Sequence, residues 1–141
     1  MYACGQWTPT EVARFSINVL EAKARDMVGR AIIDHALAGG VPVSHTMAYV
    51  DNTSAQYVSE FGRTDSEAMN QLNERRQAWL VELGIYEATE RVASVDNDVA
   101  DLLSRGAVEE ALRFPRACSL PMLQLDVSAY RDTSTLAPTW A

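Results

Sequence analysis

Apolar side chains recur at Ile17, Leu20, Ala24, Val28, Ala31 and Ile32. At about 100° per residue this spacing makes one stripe on a helix over residues 17–37, with Gly39-Gly40 as its stop. The β-branched and aromatic run from Pro42 to Val50 reads as a strand. A short helix is expected at Ser54–Phe61, and then a longer one whose start is marked by Thr64-x-x-Glu67, the spacing of a capping box. Its apolar face is Met69, Leu72, Trp79, Leu80 and Leu83, and Gly84 ends it. Ile85–Val92 reads as a second strand, followed by a short helix in which Val99, Leu102 and Leu103 face a core. Met1–Trp7 reads as a short strand, Thr8–Ser16 as a connection and Val108–Phe114 as a further helix. This order of elements argues an α/β layer with helices packed on a sheet.

Three carboxylates interrupt the pattern in different ways. Glu21 falls inside the stripe of the first long helix, where a charge is costly unless a cation, a metal or hydrogen bonds compensate it. Asp51 ends the first confident strand just before Asn52-Thr53-Ser54, at the edge where open α/β sheets place their ligands. Asp101 lies on the short helix. Each has an ordinary reading by itself: a stripe-edge Glu that reaches water, a helix cap, and a solvated helix residue. Together they suggest a site for a divalent cation.

Val50-Asp51-Asn52-Thr53-Ser54-Ala55, followed by Asn97-x-x-Ala100-Asp101-x-Leu103-Ser104-Arg105-Gly106, resembles the ribonuclease H domain of retroelement reverse transcriptases. The similarity is greatest to the DIRS-like elements that carry a tyrosine recombinase. They share Gly5-x-Trp7-Thr8-x-x-Glu11 and Ile17-Asn18-Val19-Leu20-Glu21-x-Lys23-Ala24 as well. The resemblance implies a ribonuclease H-like mixed sheet with helices packed on it. In such a domain Glu21, Asp51 and Asp101, with a fourth acid from the first strand, hold two magnesium ions about 3.5–4 Å apart that act on the RNA strand of an RNA–DNA hybrid. Manganese is the natural substitute for magnesium there, and Asn52 and Asn97 are candidate substrate contacts. Hard ions take oxygen ligands, so Glu and Asp suit this chemistry where Cys and His do not.

The chain departs from that family in three places. Only Met1-Tyr2-Ala3-Cys4 precedes Gly5, so the first strand and its Asp are missing, neighbouring strands lose a pairing partner, and the chain is expected to be a fragment of a longer product. Arg91 stands where the family often has a His that assists product release or proton transfer, and Arg cannot shuttle protons near neutral pH. The spacing from Glu21 to Asp51 is longer than usual. The resemblance covers residues 1–106 as a partial domain and leaves 107–141 as a C-terminal extension or linker, in which Pro115, Pro121 and Pro138 space out short apolar pieces.

Composition narrows the function. At 141 residues and 48% hydrophobic content the chain can bury one core, and no apolar run is long enough to span a membrane. The net charge of −7 argues against unaided nucleic-acid binding, which gains affinity by neutralising phosphates. A nuclease of this kind would borrow its hold on the hybrid from the polymerase domain of the same polyprotein. Arg75-Arg76 and Arg113-x-x-Arg116 could touch a backbone, but a solvated helix face explains the first pair equally well. Cys4 and Cys118 are expected to be reduced, and without a signal peptide the setting is intracellular, cytoplasm or nucleus. His35 reads as a packing histidine near a helix end. There is no phosphate-binding Gly loop, nucleophile elbow or CxxC. Two other readings stay open: the same fold without catalysis, serving structure or protein contacts, and an unrelated acidic α/β interaction module.

Overall fold

The computed structural model describes residues 1–51, 66–93, 97–113 and 123–139. The fold is a mix of helix and strand, in which a two-stranded parallel sheet is backed by helices. The expected helix at Ser54–Phe61, Thr64, Asn52, Cys118 and Trp140 lie outside the described residues.

Helix α1 (Pro9–Arg14) occupies what reads as a connection in sequence. Its signal was present: Thr8 Oγ1 accepts from Glu11 N–H at 3.2 Å, Glu11 Oε2 accepts from Thr8 N–H at 2.7 Å, and Pro9 fills the first turn. Helix α2 (Ile17–Ala38) is one continuous rod of 22 residues, about 33 Å long. Strand β1 (His45–Val50) follows. Helix α3 (Glu67–Leu83) is capped by Ser66, whose hydroxyl accepts from Met69 N–H at 3.3 Å. It ends at Gly84 in the left-handed conformation, φ 68°, where Ile85 N–H bonds back to the Leu80 carbonyl at 2.9 Å.

Strand β2 (Tyr86–Arg91) then lies parallel to β1, His45 pairing with Tyr86 and Val50 with Arg91. A parallel pair needs a crossover, and α3 is part of it. Two short helices, α4 (Asp98–Ser104) and α5 (Val108–Arg113), pack on each other.

The core sits between α2 and α3. Phe15, Val19, Leu20, Ala68, Met69 and Leu72 form one cluster with Leu136, while Ile33, Leu80 and Ile85 form a second, flanked by Val43 and Trp79. The buried face of α2 follows the expected stripe only in part. Leu20 and Ala31 are buried as expected, but Val19, Lys23, Asp26, Met27 and Ile33 are buried with them, whereas Ile17 is 64% exposed and His35 is exposed rather than packed. The cause is that α2 has apolar residues on two faces, one against α3 and another turned towards a cavity that holds Ala24, Val28 and Ile32.

The stretch after Gly106, which reads as an extension or linker, returns to the body of the protein. Leu136 is 1% exposed in the first core cluster. Around it Arg14 donates to the Leu136 carbonyl at 3.1 Å and Gln71 Oε1 accepts from Ala137 N–H at 2.9 Å. Tyr130 hydroxyl donates to Asp34 of α2, and Arg131 donates to the Gln6 carbonyl at 2.7 Å while its guanidinium lies 5.1 Å over the Trp7 ring. Instead of an N-terminal strand, Tyr2 makes a single bridge with Gln124. Leu136→Ala is expected to lower stability by about 2–4 kcal/mol, measured by urea unfolding, because it empties a site in the main cluster.

Candidate functional site

Glu21, Asp51 and Asp101 all line one cavity, at separate points on its wall. A cavity of about 600 Å³ is bounded by Glu21, Ala24, Val28 and Ile32 on α2, by Thr46–Asp51 along β1, and by Asn97, Ala100, Asp101 and Ser104 at α4. Each acid is delivered by its local structure. Glu21 is one turn into α2, on the face that does not enter the core, and is exposed rather than buried. Asp51 is the first residue after β1, and α4 begins after Asn97, whose side-chain amide donates to Asp51 Oδ2 at 3.4 Å. Asp101 is half exposed and pairs with Arg105 at 3.0 Å. Arg91 ends β2, opposite Val50.

The charges in the core are elsewhere. Arg76 of α3 is 6% exposed, so it is not on the solvated face where Arg75 lies. Its guanidinium grips both oxygens of Glu87 on β2 and donates to Asp26 Oδ1 on α2 at 3.1 Å. Arg25 donates to Glu87 Oε1 at 2.9 Å and to Thr89 Oγ1 at 2.8 Å, and Arg30 donates to Asp26 at 3.0 Å. This network ties α2, α3 and β2 together, and Arg25, Arg76 and Glu87 line the inner part of the same cavity. Sequence reasoning missed it. The available signals were the Asp26–Arg30 spacing of one helical turn and a Glu at an inward-facing strand position.

Gly29 makes room for it, since a Cβ there would lie 2.7 Å from Arg76 Nη2. Because that guanidinium is fixed by two acids, Gly29→Ala is expected to cost about 1–2 kcal/mol, outweighing the roughly 1 kcal/mol that alanine gains in a helix. A urea melt measures the sign.

Burial would push the Glu87 carboxyl up, but the hydrogen bonds and charge of Arg76 and the charge of Arg25 hold it below its ordinary value of 4.5. A carboxylate held low contributes stability that is complete above its unfolded value and is lost as the pH falls through the lower folded value. Unfolding midpoints are therefore expected to drop as the pH is taken below about 4.5, and Glu87→Gln should flatten that drop. The Lys23 ammonium is also held below its ordinary value, but by its burial in α2, against the pull of Asp26.

Glu21, Asp51, Asp101 and the Asn97 amide have the chemistry that hard divalent cations prefer, while Glu87, the fourth carboxylate of the cavity, is held by Arg76 and Arg25. The positions of the first four do not meet the requirement. Among the described residues no three His, Cys, Asp or Glu side chains are grouped so that they could hold a metal ion. Among the same residues, no helix is long and apolar enough to cross a membrane.

Compared with family models, curated proteins and solved structures, the chain gives no match in any of the three.

Proposed function

We propose that this chain is the ribonuclease H-like segment of a retroelement reverse transcriptase, contributing acids to a site that cuts the RNA strand of an RNA–DNA hybrid. The observation that carries the reading is the meeting of Glu21, Asp51 and Asp101, from three elements far apart in sequence, on one cavity with Asn97 bonded to Asp51. Magnesium or manganese, when bound, would supply Lewis-acid stabilisation of charge on the phosphate oxygens. The acids are too dispersed to hold it as they stand, so the reading needs a further strand to complete the site.

The sheet has room for that strand. Ser44 and Val50 carbonyls accept from β2 at 2.9 and 2.8 Å, so the alternate residues His45, Met47 and Tyr49 direct their backbone groups to the opposite edge. Among the described residues nothing pairs with that edge, and it runs along the cavity. The acidic chain leaves affinity for the hybrid to a polymerase domain.

A second reading, an interaction domain of the same fold without catalysis, is favoured by the dispersal of the acids. One experiment separates the two. The chain is fused to an N-terminal strand carrying an Asp and assayed on a labelled RNA–DNA hybrid, with its thermal midpoint followed in magnesium and manganese. Metal-dependent cleavage and stabilisation are expected. Neither cleavage nor a metal-dependent midpoint would leave the interaction reading standing.

A further inference from the structure

We infer that the groove formed by α1, α2 and α3 is a recognition site for a leucine-anchored acidic turn, filled by the chain's own residues 132–137 and open to the same motif carried by a partner. The resident segment shows what the groove selects. Asp132 Oδ1 accepts from Ser134 N–H at 2.9 Å, and Leu136 N–H donates back to the Thr133 carbonyl at 3.1 Å, so the turn is built by its own bonds. It holds out Leu136 as a single apolar plug, 1% exposed in the cluster of Phe15, Val19, Leu20, Met69 and Leu72.

Around the plug the groove addresses main chain. Arg75 donates to the Thr135 carbonyl at 3.2 Å and to its hydroxyl at 2.8 Å. Arg14 donates to the Leu136 carbonyl at 3.1 Å, and Gln71 accepts from Ala137 N–H at 2.9 Å. Main-chain bonds follow the path of a peptide and leave specificity to the side chains that fill pockets or meet charges, here Leu136 and Asp132. The Asp132 carboxyl is held below its ordinary value by the Ser134 hydrogen bonds first, and then by the charges of Lys23 and Arg75. A chain of net charge −7 thus sets Arg14, Lys23 and Arg75 around one acidic turn, which is the charge complementarity of a binding site.

The turn is also the part of this core best placed to leave alone. It belongs to no helix or strand, and its bonds to Arg75 are open to water, whereas Val19, Leu20, Met69 and Leu72 lie within α2 and α3. Segments with few buried contacts and exposed hydrogen bonds open at lower free energy than the elements they cover. A free peptide competes with the tethered turn, so its apparent affinity is set by the fraction of molecules in which the groove is open. The inference does not depend on nuclease activity.

Amide exchange on the full chain is the first measurement. The Ala137 and Thr139 N–H groups, bonded to Gln71 and to the Arg14 carbonyl, are expected to show protection factors at least about ten-fold below those of Leu72 and Leu80 in α3. The second is a titration of a fluorescein-labelled peptide of residues 132–139 with the full chain. Asp132→Ala removes one bond of the resident turn at an exposed position, so the peptide is expected to bind that protein about five-fold more tightly than the unmodified chain. Binding should vanish when the peptide carries Asp at the Leu136 position and weaken when it carries Ala at the Asp132 position. Exchange of the Ala137 amide only through global unfolding would overturn the inference, as would equal binding of the Leu and Asp peptides. So would a dimer of the unmodified chain that excess peptide does not dissociate, since the groove would then serve to exchange tails between two copies.

Discussion

Arg76→Met is expected to destabilise the protein by about 3–5 kcal/mol, because it leaves two acids in the core without their shared cation. The guanidinium bridges Asp26 on α2 and Glu87 on β2 from its place on α3. Met matches the aliphatic stem, so the loss reports the charge rather than a hole. Arg30 and Arg25 still reach Asp26 and Glu87, which places the expected value nearer the lower end. Urea unfolding gives the number, and a cycle with Glu87→Gln gives the coupling, expected within about 0.5–3 kcal/mol for contacting residues. Additive losses would mean that Arg76 and Glu87 contribute independently.

Asp51→Asn is expected to abolish hybrid cleavage in the strand-completed protein, by at least about 100-fold, which corresponds to some 2.7 kcal/mol of barrier. The substitution is informative because it spares the fold. Asp51 is exposed, and the amide oxygen of Asn can still accept from Asn97, so stability should move by no more than about 0.5 kcal/mol. What disappears is the negative charge at the end of β1. Any metal-dependent rise in thermal midpoint should vanish with it. Cleavage retained in Asp51→Asn would remove this residue from the site.

Helices α2 and α3 and strand β1 were legible because each carries local signals: period 3.6 in α2 and α3, an uncharged run rich in β-branched and aromatic residues before Asp51, and glycine stops at Gly39 and Gly84. Glu21, Asp51 and Asp101 all line one cavity, but they are not grouped closely enough to hold an ion together. The buried face of α2 was legible only through Leu20 and Ala31. A helix apolar on two sides offers no single stripe, and the side that won buries Lys23 and Asp26. Pairing decided the matter, since Arg76 lies 50 residues from Asp26 and no local rule connects them. The place of Leu136 was hidden for a similar reason: a lone apolar residue between Thr135 and Ala137 has no periodicity to read.

The position of Leu136 also sets the order in which the protein can be made. Helices α1, α2 and α3 emerge from the ribosome first, yet the cluster joining Phe15 and Val19 to Met69 and Leu72 lacks Leu136 until that residue has left the exit tunnel. The contact spans about 120 residues, so its closure is entropically late. During that interval the nascent chain carries exposed apolar surface and an unpaired strand edge, the combination that chaperones recognise and that aggregation exploits.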